Sequence, residues 1–203
     1  MTTPVAVSDH ADEMRRRILA GAARAFSRSG PQATSVPEIA AEAGVSVGLI
    51  YRYFSGKAEL YAAACTVGAE AEMAGLRAEM AAIRDPRARL AHAVDFYLSR
   101  LGQGGEGALL LGALAEAPRN PGLRASLRLR RDTIVEFIRR YLEEREAEGE
   151  VAGPVAPLAR ALALTLDGAL AEMALGGSDL PAIRDAILDL LQRLLQASGP
   201  APT

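Results

Sequence analysis

The residues able to do covalent or metal chemistry are few and scattered. His10, His92 and Cys65 lie far apart, with neither metal-ligand spacing nor an acid–base pattern. The sequence therefore predicts no catalytic residue, no metal site and no cofactor, and an enzyme is not expected. Gly102-Gln103-Gly104-Gly105-Glu106-Gly107 matches G-x-G-x-x-G. It follows a helical pattern instead of a strand, so it reads as a loop between helices and not a nucleotide site. The informative cluster is Ser46-Val47-Gly48-Leu49-Ile50-Tyr51-Arg52-Tyr53-Phe54, followed by Lys57, the sole lysine. The chain has five tyrosines and four phenylalanines, and three of these rings fall within 51–54. A helix this short needs only Ile50 and Phe54 for its core. The extra rings and Arg52 suggest a contact surface.

Helices must position that cluster. Residues 12–29 carry Ile18, Ala22, Ala25 and Phe26 on one face, and Gly30-Pro31 stops the helix. Ser35-Val36-Pro37-Glu38 is a capping box that opens a second helix. Gly44 ends it, and Ser46 caps a third helix over 47–54. Two short helices joined by a glycine-containing turn form a helix-turn-helix, whose second helix reads base edges in a major groove. Thr34 and Ser35 offer hydroxyls and helix N-terminal amides to a phosphate. Lys57 begins the next helix, where a cation opposes the helix dipole. A nearby phosphate would offset that cost. Gly48 costs about 1 kcal/mol against alanine inside a helix, and close approach to DNA would rationalise it.

Ser55-Gly56 breaks the third helix, and Ser55 is expected to cap the next; downstream, helices are expected over 57–83, 86–101, 108–117, 121–147, 155–175 and 180–197. Asp85-Pro86, Asn120-Pro121 and Asp179-Leu180-Pro181 open three of them. Cys65 should lie on the apolar side of the long helix 57–83 as a small buried residue. His92 reads as a surface or packing residue.

Composition agrees with a packed helical protein. Of 203 residues, 50% are hydrophobic and 24% charged, which is enough apolar material for a core. A net charge of −2 gives no argument for nucleic acid from bulk charge. One cysteine excludes an internal disulfide framework. No apolar run is long enough to span a bilayer and no leader is visible, so a cytoplasmic protein without membrane contact is expected.

Residues 12–60 resemble the DNA-binding domain of the TetR family of bacterial regulators. The resemblance rests on Ile18-Leu19-Ala20, Phe26, Gly30, Thr34-Ser35-Val36-Pro37-Glu38-Ile39-Ala40, Ala43-Gly44-Val45-Ser46, Leu49-Ile50-Tyr51-Arg52-Tyr53-Phe54, Lys57 and Leu60. It implies an all-α homodimer of about nine helices. Residues 1–11 form a flexible arm, 12–57 a helix-turn-helix domain and 58–203 a ligand-binding and dimerisation domain. The implied function is a repressor released from a palindromic double-stranded operator by a small effector. An activator, or a DNA-binding protein controlled by a protein partner, is the alternative.

Carried over by position, Val47, Gly48, Leu49 and Arg52 match base-facing sites, and Tyr51 a base or phosphate contact. Thr34, Ser35, Tyr53 and Lys57 match phosphate contacts, and Ser46 belongs to the same surface. The family often has histidine where Tyr53 stands; a tyrosine hydroxyl still donates to phosphate. Residues 86–197 resemble a common ligand-domain pattern of the family, including Asn120-Pro121-Gly122-Leu123-Arg124 and Leu166-Asp167-Gly168. Expected effector contacts are Met73, Met80, Phe96, Leu110, Leu114, Arg131, Phe137, Asp167 and Met173, suited to a hydrophobic or aromatic molecule. For Asp167 a structural role competes: capping a kink with Gly168 or pairing with an arginine across a dimer. The resemblance also implies a dimer contact through Leu162, Leu166, Leu170, Ile187, Leu191 and Leu194. Spacing alone leaves open whether those stripes face a partner or the same chain.

Overall fold

The computed structural model describes residues 5–103, 106–149, 151, 154–175 and 179–196. Ten helices and no strand occur among the described residues: α1 Val5–Ala33, α2 Val36–Ala43, α3 Val47–Tyr53, α4 Lys57–Ala64, α5 Ala69–Ala81, α6 Pro86–Gln103, α7 Glu106–Glu116, α8 Pro121–Ala147, α9 Val155–Leu175 and α10 Leu180–Gln196. The all-α class holds.

The helix starts follow the sequence signals. Ser35 accepts the Glu38 amide (3.4 Å), while the Ser35 amide donates to the Glu38 carboxylate (2.7 Å), so both halves of the capping box form. Asp85 accepts from the Ala88 amide (3.1 Å), Asn120 from Leu123 (3.0 Å) and Asp179 from Ala182 (2.9 Å).

Three local features differ from expectation. First, α1 begins at Val5, inside the stretch expected to be a flexible arm. Once a helix is nucleated, each added residue gains a hydrogen bond for one residue fixed, so extension is easy. Gly30 still breaks the helix, at φ 74° and ψ 163°, before a last turn to Ala33. Second, the single helix expected over 57–83 is two. α4 stops at Ala64, Cys65 is its buried C-cap, and α5 starts after Gly68 at φ 88°. Thr66 turns its hydroxyl onto the Ala63 carbonyl (3.1 Å), a local bond that competes with continued helix. Third, Ser55 does not cap α4. Gly56 holds that position, and the Ser55 amide and hydroxyl both donate to Glu59 (2.7 Å each). The G-x-G-x-x-G stretch is divided between α6, which includes Gly102, and α7, which includes Gly107; Gly104 and Gly105 lie outside the described residues.

The chain divides into two compact units. The first holds α1–α4, α7 and α8 as far as Leu129; the second holds α5, α6, α8 from Arg130, α9 and α10. The first is larger than the expected 12–57 because its core recruits later residues. Ile18, Leu19, Phe26, Ile39, Ile50, Phe54, Leu60 and Tyr61 pack with Leu109, Ala113 and Leu123. Tyr61 is the joint. Its ring meets Phe26 edge-on at 4.9 Å, and its buried hydroxyl donates to the Leu109 carbonyl (3.2 Å). Gly112 makes room for it: a Cβ there would fall 3.1 Å from the Tyr61 oxygen. The second unit has its own core, built on Val94, Leu98, Leu142, Ala159, Leu162 and Ile183.

Candidate nucleic-acid interface and effector cavity

The reading helix is anchored from below and held at both ends. Ser46 accepts the Leu49 amide (3.2 Å) at its start. Ile50 and Phe54 are buried, at 1% and 2% exposure. The turn before it is fixed by Gly44 at φ 64°, with the Gly44 amide on the Ala41 carbonyl (3.1 Å) and the Val45 amide on Ala40 (2.9 Å). This pair of bonds is the Schellman motif, which favours glycine. Arg17 tightens the same turn by donating to the Ala43 (2.8 Å) and Gly44 (2.7 Å) carbonyls. Arg24 and Arg28 tie α1 to α2 through Glu42, at 2.9 and 3.2 Å. These two contacts hold the Glu42 carboxyl below its ordinary value.

The outward side of α3 carries Gly48, Tyr51 and Arg52, with Ser46 beside them. Tyr51 is 55% exposed. Nothing lies within 4 Å of where a Gly48 Cβ would sit. Arg52 makes no hydrogen bond or ion pair among the described residues. Val47, Leu49 and Tyr53 are half-buried, and Val47 and Tyr53 rest partly on the core below. Arg15, on α1, stacks its guanidinium over the Phe54 ring at 5.3 Å.

The expected phosphate grips look different in three dimensions. Thr34 is a correction: it is 2% exposed, and its hydroxyl donates inward to the Gly30 (2.7 Å) and Ala25 (3.2 Å) carbonyls. Its side chain has nothing left for a phosphate. The Ser35 hydroxyl is exposed but donates to Glu38 (2.8 Å). The Ser35 amide, and then the hydroxyl, hold the Glu38 carboxyl below its usual range, so that carboxylate occupies part of the amide cradle at the start of α2. Lys57 Nζ donates to the Thr34 (3.0 Å) and Gln32 (3.4 Å) carbonyls. A cation at those helix-end carbonyls is favourable, so its place at the start of α4 has an intramolecular cause.

The second unit holds a partly open cavity of about 90 Å³. Four expected effector contacts line it: Met73, Met80, Phe96 and Phe137, joined by Tyr97 and Tyr141. The remaining candidates lie elsewhere. Leu110 and Leu114 belong to the first unit, Leu110 buried in its interior and Leu114 52% exposed. Arg131 donates to Asp167, and neither lines the cavity. This pairing within one chain gives Asp167 a partner without a second protomer. Met173 packs against the core, with its Cε 3.4 Å from where a Gly102 Cβ would stand.

The stripe expected at a dimer contact points inward. Leu162, Leu166, Ile187 and Leu191 all line the cavity, and Leu170 is buried at 4% exposure. The side chain of Leu194 lies outside the described residues. Regular i, i+4 spacing gives a helix one apolar face but does not say what that face meets. The exposed apolar residues of these helices include Leu164, Leu175 and Leu190.

A helix-turn-helix with its reading side outward, followed by a helical unit around an apolar cavity, defines a helix-turn-helix transcriptional regulator. Residues 18–64 match the family of bacterial regulatory proteins called the tetR family. Residues 86–197 match the C-terminal region of BetI-type transcriptional repressors. The chain belongs to the TetR family of bacterial transcriptional regulators. It is 29% identical over 147 residues to the HTH-type transcriptional regulator UidR of Escherichia coli, covering 70% of this chain and 71% of that one. It is 33% identical over 100 residues to the transcriptional activator FasR of Mycolicibacterium smegmatis, covering 49% and 46%. A regulator from Saccharomonospora viridis solved in complex with choline superposes with a TM-score of 0.74 at 25% identity, over 89% of this chain and 96% of that one. No helix among the described residues is long and apolar enough to cross a membrane.

Proposed function

We propose that this regulator is a cytoplasmic homodimeric repressor. It occupies a palindromic operator and leaves it when a small hydrophobic or aromatic effector enters the cavity of the second unit. The observation that carries the reading is the outward side of α3, where Gly48, Tyr51 and the unpaired Arg52 stand over a buried Ile50 and Phe54. In a symmetric pair, two such helices entering successive major grooves must stand about 34–36 Å apart. Val47 and Leu49 suit thymine methyls or sugars, and Arg52 suits a guanine edge. Ser46, Tyr53, Lys57 and the exposed start of α2 at Ser35 complete the DNA surface. Induction requires that the effector prefer the DNA-incompetent state. Since the Leu162 stripe faces inward, the homodimer contact falls to the opposite side of α9 and α10, through Leu164, Gly168 and Leu190.

Selection of bound duplexes from a random pool tests this directly. The expected product is an inverted repeat whose half-sites are centred about one helical turn apart. Recovery of no common sequence would overturn the reading. The likeness to an activator, FasR, favours the second reading, in which the bound protein raises transcription. A reporter placed behind the selected site separates them, since a repressor lowers its output and an activator raises it.

A further inference from the structure

The cavity's chemistry goes further than a hydrophobic preference, and we infer that its effector is an uncharged molecule and that quaternary ammonium ions are refused. This rests on the reading of the cavity as the effector site.

Four aromatic rings, Phe96, Tyr97, Phe137 and Tyr141, line it. Such a wall could serve as a cage for a choline-like cation. Two of the rings are already used. The Arg100 guanidinium lies over Phe96 at 5.8 Å, and that of Arg145 over Tyr141 at 5.6 Å. Each arginine draws on the electron-rich face of its ring and leaves less of it for a second cation. No acidic side chain lines the cavity to compensate. The acids paired with these arginines, Glu72 with Arg100 (2.6 Å) and Glu148 with Arg145 (2.7 Å), do not line it, nor does Asp167, which pairs with Arg131. An anion fares no better, because no basic side chain lines the cavity either. The lining residues that carry a side-chain heteroatom are Tyr97, Tyr141, Thr165, Met73 and Met80, none of them charged. Thr165 already donates to the Ala161 carbonyl (3.0 Å). An ion entering this space would lose its hydration and find no counter-charge, whereas a neutral molecule would not.

Three probes of nearly one shape differ in charge: the alcohol 3,3-dimethylbutan-1-ol, the cation choline and the anion 3,3-dimethylbutanoate. Each is titrated into the full-length protein and followed by thermal unfolding and calorimetry. The alcohol should raise the melting temperature in a dose-dependent way and bind about tenfold or more tighter than either ion. Filling the cavity by Ala93→Leu, or by Leu166→Phe if the first variant folds poorly, should abolish that response. Arg100→Gln should narrow the gap between choline and the alcohol, a change that a merely structural arginine would not produce. Choline binding as tightly as the alcohol to the unaltered protein overturns the charge selectivity and leaves the cavity reading intact. If none of the probes binds, or if the alcohol binds the filled variants equally well, the cavity reading itself falls.

Discussion

Arg52 and Gly48 stand one turn apart on α3 and do opposite things to the free protein and to a complex. Arg52 has no partner among the described residues, so its removal should leave stability nearly unchanged. Arg52→Ala is expected to cost about 1–3 kcal/mol of operator binding and to relax preference at one base position. Electrophoretic shift with single-base variants of the selected operator checks it; unchanged sequence preference would reassign the base contact. Gly48→Ala adds a methyl where nothing stands within 4 Å. It should stabilise the free protein by up to about 1 kcal/mol, because alanine is the better helix former. The same methyl should weaken operator binding if the duplex approaches that surface closely. A variant that is more stable and binds equally well would show that Gly48 leaves room for nothing. Lys57 and Thr34 were legible as polar residues at helix ends but not as intramolecular ones. Which carbonyls they satisfy depends on how the end of α1 meets the start of α4, and no local pattern encodes that.

At the scale of elements, the joint between α1 and α2 gives two predictions. A Cβ on Gly21 would lie 2.7 Å from the Ala43 Cβ and 2.8 Å from its Cα and amide nitrogen. Backbone cannot yield as a side-chain tip can, so Gly21→Ala should destabilise by about 1–3 kcal/mol in urea unfolding. An unchanged midpoint would mean the crossing is looser than it looks. The sequence held a hint, since glycine in the middle of a helix is unfavourable unless something needs the space. The second prediction concerns the capping box. Glu38 is held below its ordinary value of 4.5, first by the Ser35 amide and then by its hydroxyl. A carboxyl depressed by folding stabilises above its unfolded value, and that stability is lost as pH falls through the folded value. Glu38→Gln should therefore melt below the unaltered protein at pH 7, and the gap should close on acidification below about pH 4.5. A gap that does not narrow as the pH falls would show that the carboxylate charge is not what the cap uses. Helix starts were legible because caps are local in sequence. The break after Ala64 was not, because Thr66, Val67 and Gly68 oppose a strong alanine-rich helix signal on both sides.

For the molecule as a whole, the proposed dimer contact on the exposed faces of α9 and α10 gives a prediction about assembly. Leu164 is 57% exposed, while its neighbour Leu162 is buried. Leu164→Arg should split the dimer without disturbing the core, raising the dimer dissociation constant severalfold or more in sedimentation. It should weaken operator binding to match, since two half-sites are no longer engaged together. The paired control is Leu162→Ala, expected to lose about 2–5 kcal/mol of stability by leaving a cavity, with assembly unchanged once the protein is folded. If Leu164→Arg stays dimeric, the contact lies on another surface.

The amino-acid order alone determined the all-α class, the helix-turn-helix, its caps and the outward Tyr51 and Arg52, because each follows from residues within one or two turns of each other. The inward turn of Thr34, the recruitment of α7 by Tyr61 and the burial of the Leu162–Leu191 stripe around a cavity were settled only by tertiary packing. An apolar face must be covered, but helical periodicity gives the direction of that face and not the surface that covers it.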